Sequence, residues 1–290
     1  MCQFEQCGAT PRRSFLQRTA SAFVLASVGS RGWAEATPPE QNKVHFPTPV
    51  GEGRGYLALP DSDPPHTAVL VVHGEIGLPK AHTLTADELA GAGFAALAIE
   101  RFSRLPGFDW NAMQEDNRGP RRFLTESYAL EEDREALGAI TFLQSLPAVR
   151  KGPVGVVGFC GGGIRAVRLG LFSPAVGAVV SFYGPPLLPE QYKPSKDPII
   201  DLVDVADKIR RPLQVHYGTN DYAVKADDVE RLVASARRAG AEVEAFAYAD
   251  ATHAFYDQTN PHAFSPSAAK LAKGRYLDFL RGHLNSHPPG

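Results

Sequence analysis

The chain has 290 residues, 43% of them hydrophobic and 21% charged, with a formal net charge of −2. That length and balance suit one globular domain with a sizeable core. The near-neutral charge argues against a nucleic-acid-binding surface. No run of like charges marks an interaction tail, and no apolar stretch reaches the roughly 20 residues that a membrane-spanning helix needs.

In chain order, the first 36 residues read as an address and not as part of the fold. Arg12-Arg13-Ser14-Phe15-Leu16 pairs two arginines ahead of apolar residues. A weakly apolar stretch, Thr19 to Val28, follows, and Ala34-Glu35-Ala36 offers a small-x-small cleavage site. This is the pattern of a twin-arginine export signal, and the expectation is a periplasmic or extracellular protein whose mature domain is 37–290. Cleavage there removes four basic residues of 30 and two acidic residues of 32, which leaves a formal charge of −4. Cys2 and Cys7 go with the segment, so Cys160 stays as the one thiol. A lone cysteine in an exported domain forms no internal disulfide and is either buried and inert or chemically employed.

Beyond Lys43 short β-like runs alternate with helical ones. Val44–Phe46 and Gly55–Leu59 read as an N-terminal hairpin or edge strands. Thr67–His73 and Phe94–Ile99 are continuous apolar runs, as expected of strands covered on both faces. A helix is expected from about His82 to Ala92. Glu126–Leu146 carries Leu130, Leu137, Ile140 and Leu143 on one face and charges on the other, with Pro147 just past its end. Pro153–Phe159 is strand and Ile164–Leu171 helix. Val176–Phe182, Leu213–Tyr217 and Val243–Tyr248 are further strands, with helices at about Ala226–Ala239 and Ser267–Leu284. Alternation of this kind, without repeats or low-complexity linkers, predicts a single α/β domain with a mostly parallel, doubly wound sheet. Two long loops, Arg101–Thr125 and the proline-rich Pro185–Asp197, would emerge near the carboxyl ends of the strands, where ligands bind in such folds.

Three strand ends carry residues with chemical potential. Gly158-Phe159-Cys160-Gly161-Gly162 follows a strand and opens a helix, the setting of a nucleophile elbow. Its glycines suit a turn so tight that strand and helix leave no room for side chains two residues either side of the cysteine. The positive end of the helix dipole also favours thiolate there. The motif alone is equally compatible with a packed, inert cysteine. Asp221 lies four residues past the Leu213–Tyr217 strand, and His253 lies in the loop after Val243–Tyr248. Alone, Asp221 reads as a turn residue and His253 as a surface one. Together, nucleophile, acid and histidine follow in the chain order of α/β-hydrolases, each beyond a different strand.

At this point the sequence resembles the dienelactone hydrolase family, cysteine hydrolases of the α/β-hydrolase fold. The match runs from about Val69 to Leu280 and rests on Val72-His73-Gly74-Glu75-Ile76-Gly77, Gly158-Phe159-Cys160-Gly161-Gly162, Phe182-Tyr183-Gly184, Gly218-Thr219-Asn220-Asp221 and His253-Ala254-Phe255. The resemblance implies a small-molecule ester or lactone substrate, attack by Cys160, proton transfer by His253 and orientation of His253 by Asp221. It further implies an oxyanion hole from the N–H groups of Ile76 and Gly161, and a Glu75 carboxylate that restrains the thiol until substrate rearranges the site. Arg104 and Tyr183 are the substrate contacts it suggests. No metal and no cofactor is implied, and the expected state is a monomer or small homo-oligomer. Two other readings stay open: a broader carboxylesterase or acyl-peptide hydrolase, and a binding protein that keeps the fold with an inert thiol.

The match weakens at the substrate pocket. The family holds a substrate carboxylate with two arginines, and Asp257 stands where the second is expected, four residues after His253. Arg121, Arg122 or Arg165 could substitute, or Arg104 could pair with Asp257. Three further groups read as structural. His73 ends a buried strand, His216 is a hydrogen-bonded core histidine, and Asp201, Asp204 and Asp207 have the spacing of a charged helix face.

Overall fold

A computed structural model of the chain describes residues 42–74, 80–102 and 124–285. Eight strands form one sheet: β1 (Lys43–Thr48), β2 (Gly51–Ala58), β3 (Thr67–Val72), β4 (Phe94–Ile99), β5 (Val154–Phe159), β6 (Val176–Phe182), β7 (Leu213–Gly218) and β8 (Val243–Tyr248). Their order is β1-β2-β4-β3-β5-β6-β7-β8. The β1/β2 and β2/β4 pairs are antiparallel and all others parallel. Every residue of β3, β4 and β5 is buried, because helices cover the sheet and leave no polar face to alternate. Edge strand β1 keeps only Phe46 buried.

The helices are α1 (Lys80–Gly91), α2 (Glu126–Ser145), α3 (Gly161–Phe172), α4 (Ala226–Arg238) and α5 (Pro266–Leu284). The chain winds from β3 outward to β4, then returns past β3 to β5. The direction of winding therefore reverses between β3 and β5, the place where an open α/β sheet forms its crevice.

Most expected elements are present, with corrections at their ends. His73 lies just past β3, β2 begins four residues earlier than expected, and α3 starts directly at Gly161. Helix α2 needs a larger correction. Leu130 is exposed, whereas Glu132, Asp133 and Glu135 are buried. The helix seats Ala129, Ala136, Ala139, Ile140 and Leu143 in the core and turns its acids toward arginines of other elements. The aspartates at 204 and 207 occupy two short 3₁₀ turns and Asp201 precedes the first, so they do not share a helix face. Asp201 accepts hydrogen bonds from the Leu188 N–H and Lys193 Nζ, so it anchors the proline-rich loop. Among the described residues no helix is long and apolar enough to cross a membrane.

Candidate active site

Cys160 sits between β5 and α3 with φ 54° and ψ −124°, a strained conformation for a residue with a side chain. The tightness of the turn explains its glycines. A Cβ at Gly158 would lie 2.1 Å from the Gly162 carbonyl oxygen, and one at Gly162 would lie 2.1 Å from that of Val72. Gly74, at the exit of β3, packs against Cys160: a Cβ there would be 3.0 Å from Cys160 Cβ and 3.6 Å from Sγ. Gly161 opens α3, and the first N–H groups of a helix have no partner within it. Tyr183 (φ 38°) and Ala254 (φ 64°) are strained as well, so three such residues gather around one crevice.

The three strand-end residues come together. Asp221, its side chain fully buried, accepts a hydrogen bond from His253 Nδ1 at 2.9 Å through Oδ2 and 3.1 Å through Oδ1. Oδ1 also accepts the N–H groups of Ala223 and Val224 at 2.7 and 3.1 Å, which fix the carboxylate and offset its burial. Cys160 and His253 line the same cavity. Burial disfavours the imidazolium, but the Cys160 sulfur and the Asp221 carboxylate outweigh it and raise the His253 pKa to about 10. The surroundings of His253 therefore favour its charged imidazolium form.

These residues open into a cavity of about 460 Å³ with largely apolar walls. Gly161 and Tyr183 line it, as does Asp257. The Tyr183 ring lies 5.0 Å from that of His253. Burial, then the charges of Asp257 and Cys160, push its phenol pKa well up, so it stays a neutral hydroxyl. The proline-rich loop supplies a wall through Pro185, Leu188, Pro189 and Tyr192, in keeping with its expected place beside the site. Two lining residues escaped the sequence reading. Tyr222 stands with its ring 5.1 Å from His253, and its position next to Asp221 was the available signal. His82 lines the cavity from α1, edge-on to Phe159 at 5.0 Å, and nothing local in the sequence marks it.

Several candidates are excluded or lie elsewhere. Arg165 is buried at 2% exposure and ion-paired with Glu132 at 2.5 Å, so it is no anchor for a substrate carboxylate. Asp257 accepts the Thr259 N–H at 2.8 Å and its hydroxyl at 2.6 Å. His216 is a core residue as expected, bonded to Tyr248 and Gln214 and held neutral by burial, with its pKa lowered to about 3. His73 is likewise buried, between Arg101 and Gly74. Glu75, Ile76, Arg104, Arg121 and Arg122 lie outside the described residues. Among the described residues no three His, Cys, Asp or Glu side chains are grouped to hold a metal ion.

The mostly parallel sheet, the strained glycine-flanked turn at Cys160 beside its winding reversal and the helices around it make this an α/β-hydrolase-fold protein. The dienelactone hydrolase family profile matches residues 54–284, and the chain belongs to that family. It is 30% identical over 239 residues to a protein assigned as a 2-oxo-3-(5-oxofuran-2-ylidene)propanoate lactonase from Bradyrhizobium sp, covering 81% of this chain and 91% of the relative. It is 27% identical over 194 residues to the carboxymethylenebutenolidase of Pseudomonas sp. strain P51, covering 67% and 75%. A crystal structure assigned as a dienelactone hydrolase from Klebsiella pneumoniae superposes with a TM-score of 0.73 at 23% identity, covering 83% of this chain and 98% of that one.

Proposed function

We propose that this hydrolase cleaves a small ester or lactone through a covalent acyl-cysteine. The observation that supports it most is His253, hydrogen-bonded to Asp221 and lining the same apolar cavity as Cys160. The Cys160 thiolate attacks the carbonyl carbon and a tetrahedral oxyanion forms. As the oxyanion collapses, the C–O bond breaks and the leaving oxygen takes the proton from His253. Water then gives a proton to His253 and adds to the thioester. Collapse of that second intermediate expels Cys160 and releases the carboxylic acid. Asp221 stays ionised, orients the imidazole and stabilises its charged form.

In this reading the N–H groups of Gly161 and Ile76 receive the oxyanion. Loss of one such donor typically costs about 100- to 1,000-fold in rate. Glu75 restrains the thiol before substrate arrives, which protects it from oxidation in an exported protein. Tyr183 presents a neutral hydroxyl to the substrate, and Arg104 supplies a cation. The two relatives' names both specify a carboxylate-bearing lactone, whereas Asp257 on the cavity wall disfavours a carboxylate here. The substrate of this chain is accordingly an ester or lactone without a carboxylate at that wall. Replacing Cys160 with alanine and assaying p-nitrophenyl acetate tests the mechanism. Activity should disappear, and full residual activity would refute it.

A further inference from the structure

Beneath the cavity lies a buried chain of charges that the reaction does not touch. Arg101, two residues past β4, is 1% exposed. Its Nη1 donates to the carbonyls of His73 at 2.6 Å and Gly74 at 2.8 Å. Its Nε and Nη2 meet Glu132 Oε1 of α2 at 2.7 and 2.5 Å. The other oxygen of Glu132 pairs with Arg165 Nε of α3, the helix that Cys160 begins. His73 completes the arrangement. Its Nε2 accepts the Arg101 N–H, which leaves Nδ1 to donate to the Gly74 carbonyl at 2.7 Å. The Gly74 carbonyl thus receives two donors, which fix its direction. Gly74 itself lies flush against Cys160.

Such a chain is a poor device for stability alone. Removing an ion pair from water costs several kcal/mol per ion, and well-packed apolar side chains often replace one without loss. What it supplies is geometry, since a planar guanidinium with five donors can bind a carboxylate and two carbonyls at fixed angles.

We propose that Arg101 is a positioning residue for hydrolysis: through Gly74 and the Glu132–Arg165 link, it sets the backbone at the β3 exit against Cys160, in register with the nucleophile helix. The inference rests on the acyl-cysteine reading of the site. Arg165 belongs to the helix whose first residue, Gly161, carries a proposed oxyanion donor, so Arg101 acts on stabilisation of the oxyanion and not on the thiol.

Two chemistries at the same sulfur test this. Ester hydrolysis needs an oxyanion acceptor, whereas alkylation by iodoacetamide needs only the thiolate. In Arg101→Lys the charge stays but one ammonium cannot span all three partners. The kcat for p-nitrophenyl acetate should fall about 10- to 100-fold, with KM within about threefold. Alkylation at the Cys160 peptide, followed by mass spectrometry to separate it from Cys2 and Cys7, should stay within about twofold. The triple variant Arg101→Met, Glu132→Leu, Arg165→Met guards against misfolding from an unpaired charge. It should keep its Tm within a few degrees and show the same split. A kcat within threefold of the parent in either folded variant overturns the proposal. So does a parallel loss of hydrolysis and alkylation, which would mean a general loosening of the site. Retained activity in Cys160→Ala would instead remove the acyl-cysteine reading, a result distinct from both.

Discussion

Gly218 is where the segments carrying Asp221 and His253 cross, and it offers a quantitative test of how tightly the fold holds the site. It ends β7, three residues before Asp221. A Cβ there would stand 2.1 Å from the carbonyl oxygen of Ala251 and 2.5 Å from its carbonyl carbon. Ala251 precedes His253 by two residues, and its carbonyl accepts the Asn220 N–H at 3.0 Å. The obstruction is backbone on both sides, so no flexible side chain can move aside. Reaching an ordinary contact requires a displacement of about 1 Å between the two segments. Overpacking of this kind costs about 1–3 kcal/mol. In a domain of this size that lowers Tm by roughly 3–10 °C. A 1 Å misplacement of catalytic groups costs about 100-fold in rate. Gly218→Ala should therefore lose both Tm, by differential scanning calorimetry, and kcat/KM on p-nitrophenyl acetate. Gly274→Ala is the control: Gly274 lies within α5 with nothing within 4 Å of an added Cβ. That substitution should stabilise by about 0.5–1 kcal/mol and leave activity unchanged. Loss of Tm in Gly218→Ala with intact kcat/KM would refute the idea that this crossing sets the geometry of the site.

Three further outcomes are expected. In Cys160→Ser the His253 titration midpoint, read by NMR of the ring nitrogens, should drop well below about 10, because the sulfur is the leading cause that raises it. Since that pKa is raised on folding, its contribution to stability is complete below about 6.5 and is lost as pH climbs through about 10. The parent should lose stability over that window more than Cys160→Ser does, and identical pH dependence would contradict the assignment. Asp257→Arg should improve kcat/KM for carboxylate-bearing lactones by roughly tenfold or more, as repulsion becomes attraction at a half-wet wall. No gain would mean that the cavity selects its substrate elsewhere. Finally, Arg12→Lys with Arg13→Lys should retain the protein in the cytoplasm by cell fractionation, and unchanged export would sink the twin-arginine reading.

The catalytic candidates were legible because their signals are local. Continuous apolar runs such as Val69–Val72 mark strands covered on both faces, and the glycines at 158 and 162 record a backbone approach too close for any Cβ. Asp221 and His253 gained meaning from their place after strands, which the same runs define. The site's supporting shell was not legible, because its partners are remote in sequence. Glu132 and Asp133 have the pattern of a solvated helix face until Arg101, 31 residues earlier, and Arg168, 35 residues later, are brought against them. Periodicity records only that a residue is polar. Whether water or a guanidinium meets it is decided by the packing of α2 against α3.

The same distinction explains why the turn conformations matter more than the residues that flank them. Cys160, Tyr183 and Ala254 adopt positive φ, each at a cost of order 1–3 kcal/mol, and the first two are held by backbone hydrogen bonds to neighbouring strands. The Cys160 N–H donates to the Phe182 carbonyl at 2.9 Å, and the Tyr183 N–H to the His216 carbonyl at 2.7 Å. Adjacent strands thus fix one another's turns: β6 holds Cys160, β7 holds Tyr183, and the loop after β8 accepts from the loop after β7. Strain at one turn is therefore sustained only while its neighbour is in register. A change that shifts a single strand end should degrade catalytic geometry across the whole row before it unfolds the domain.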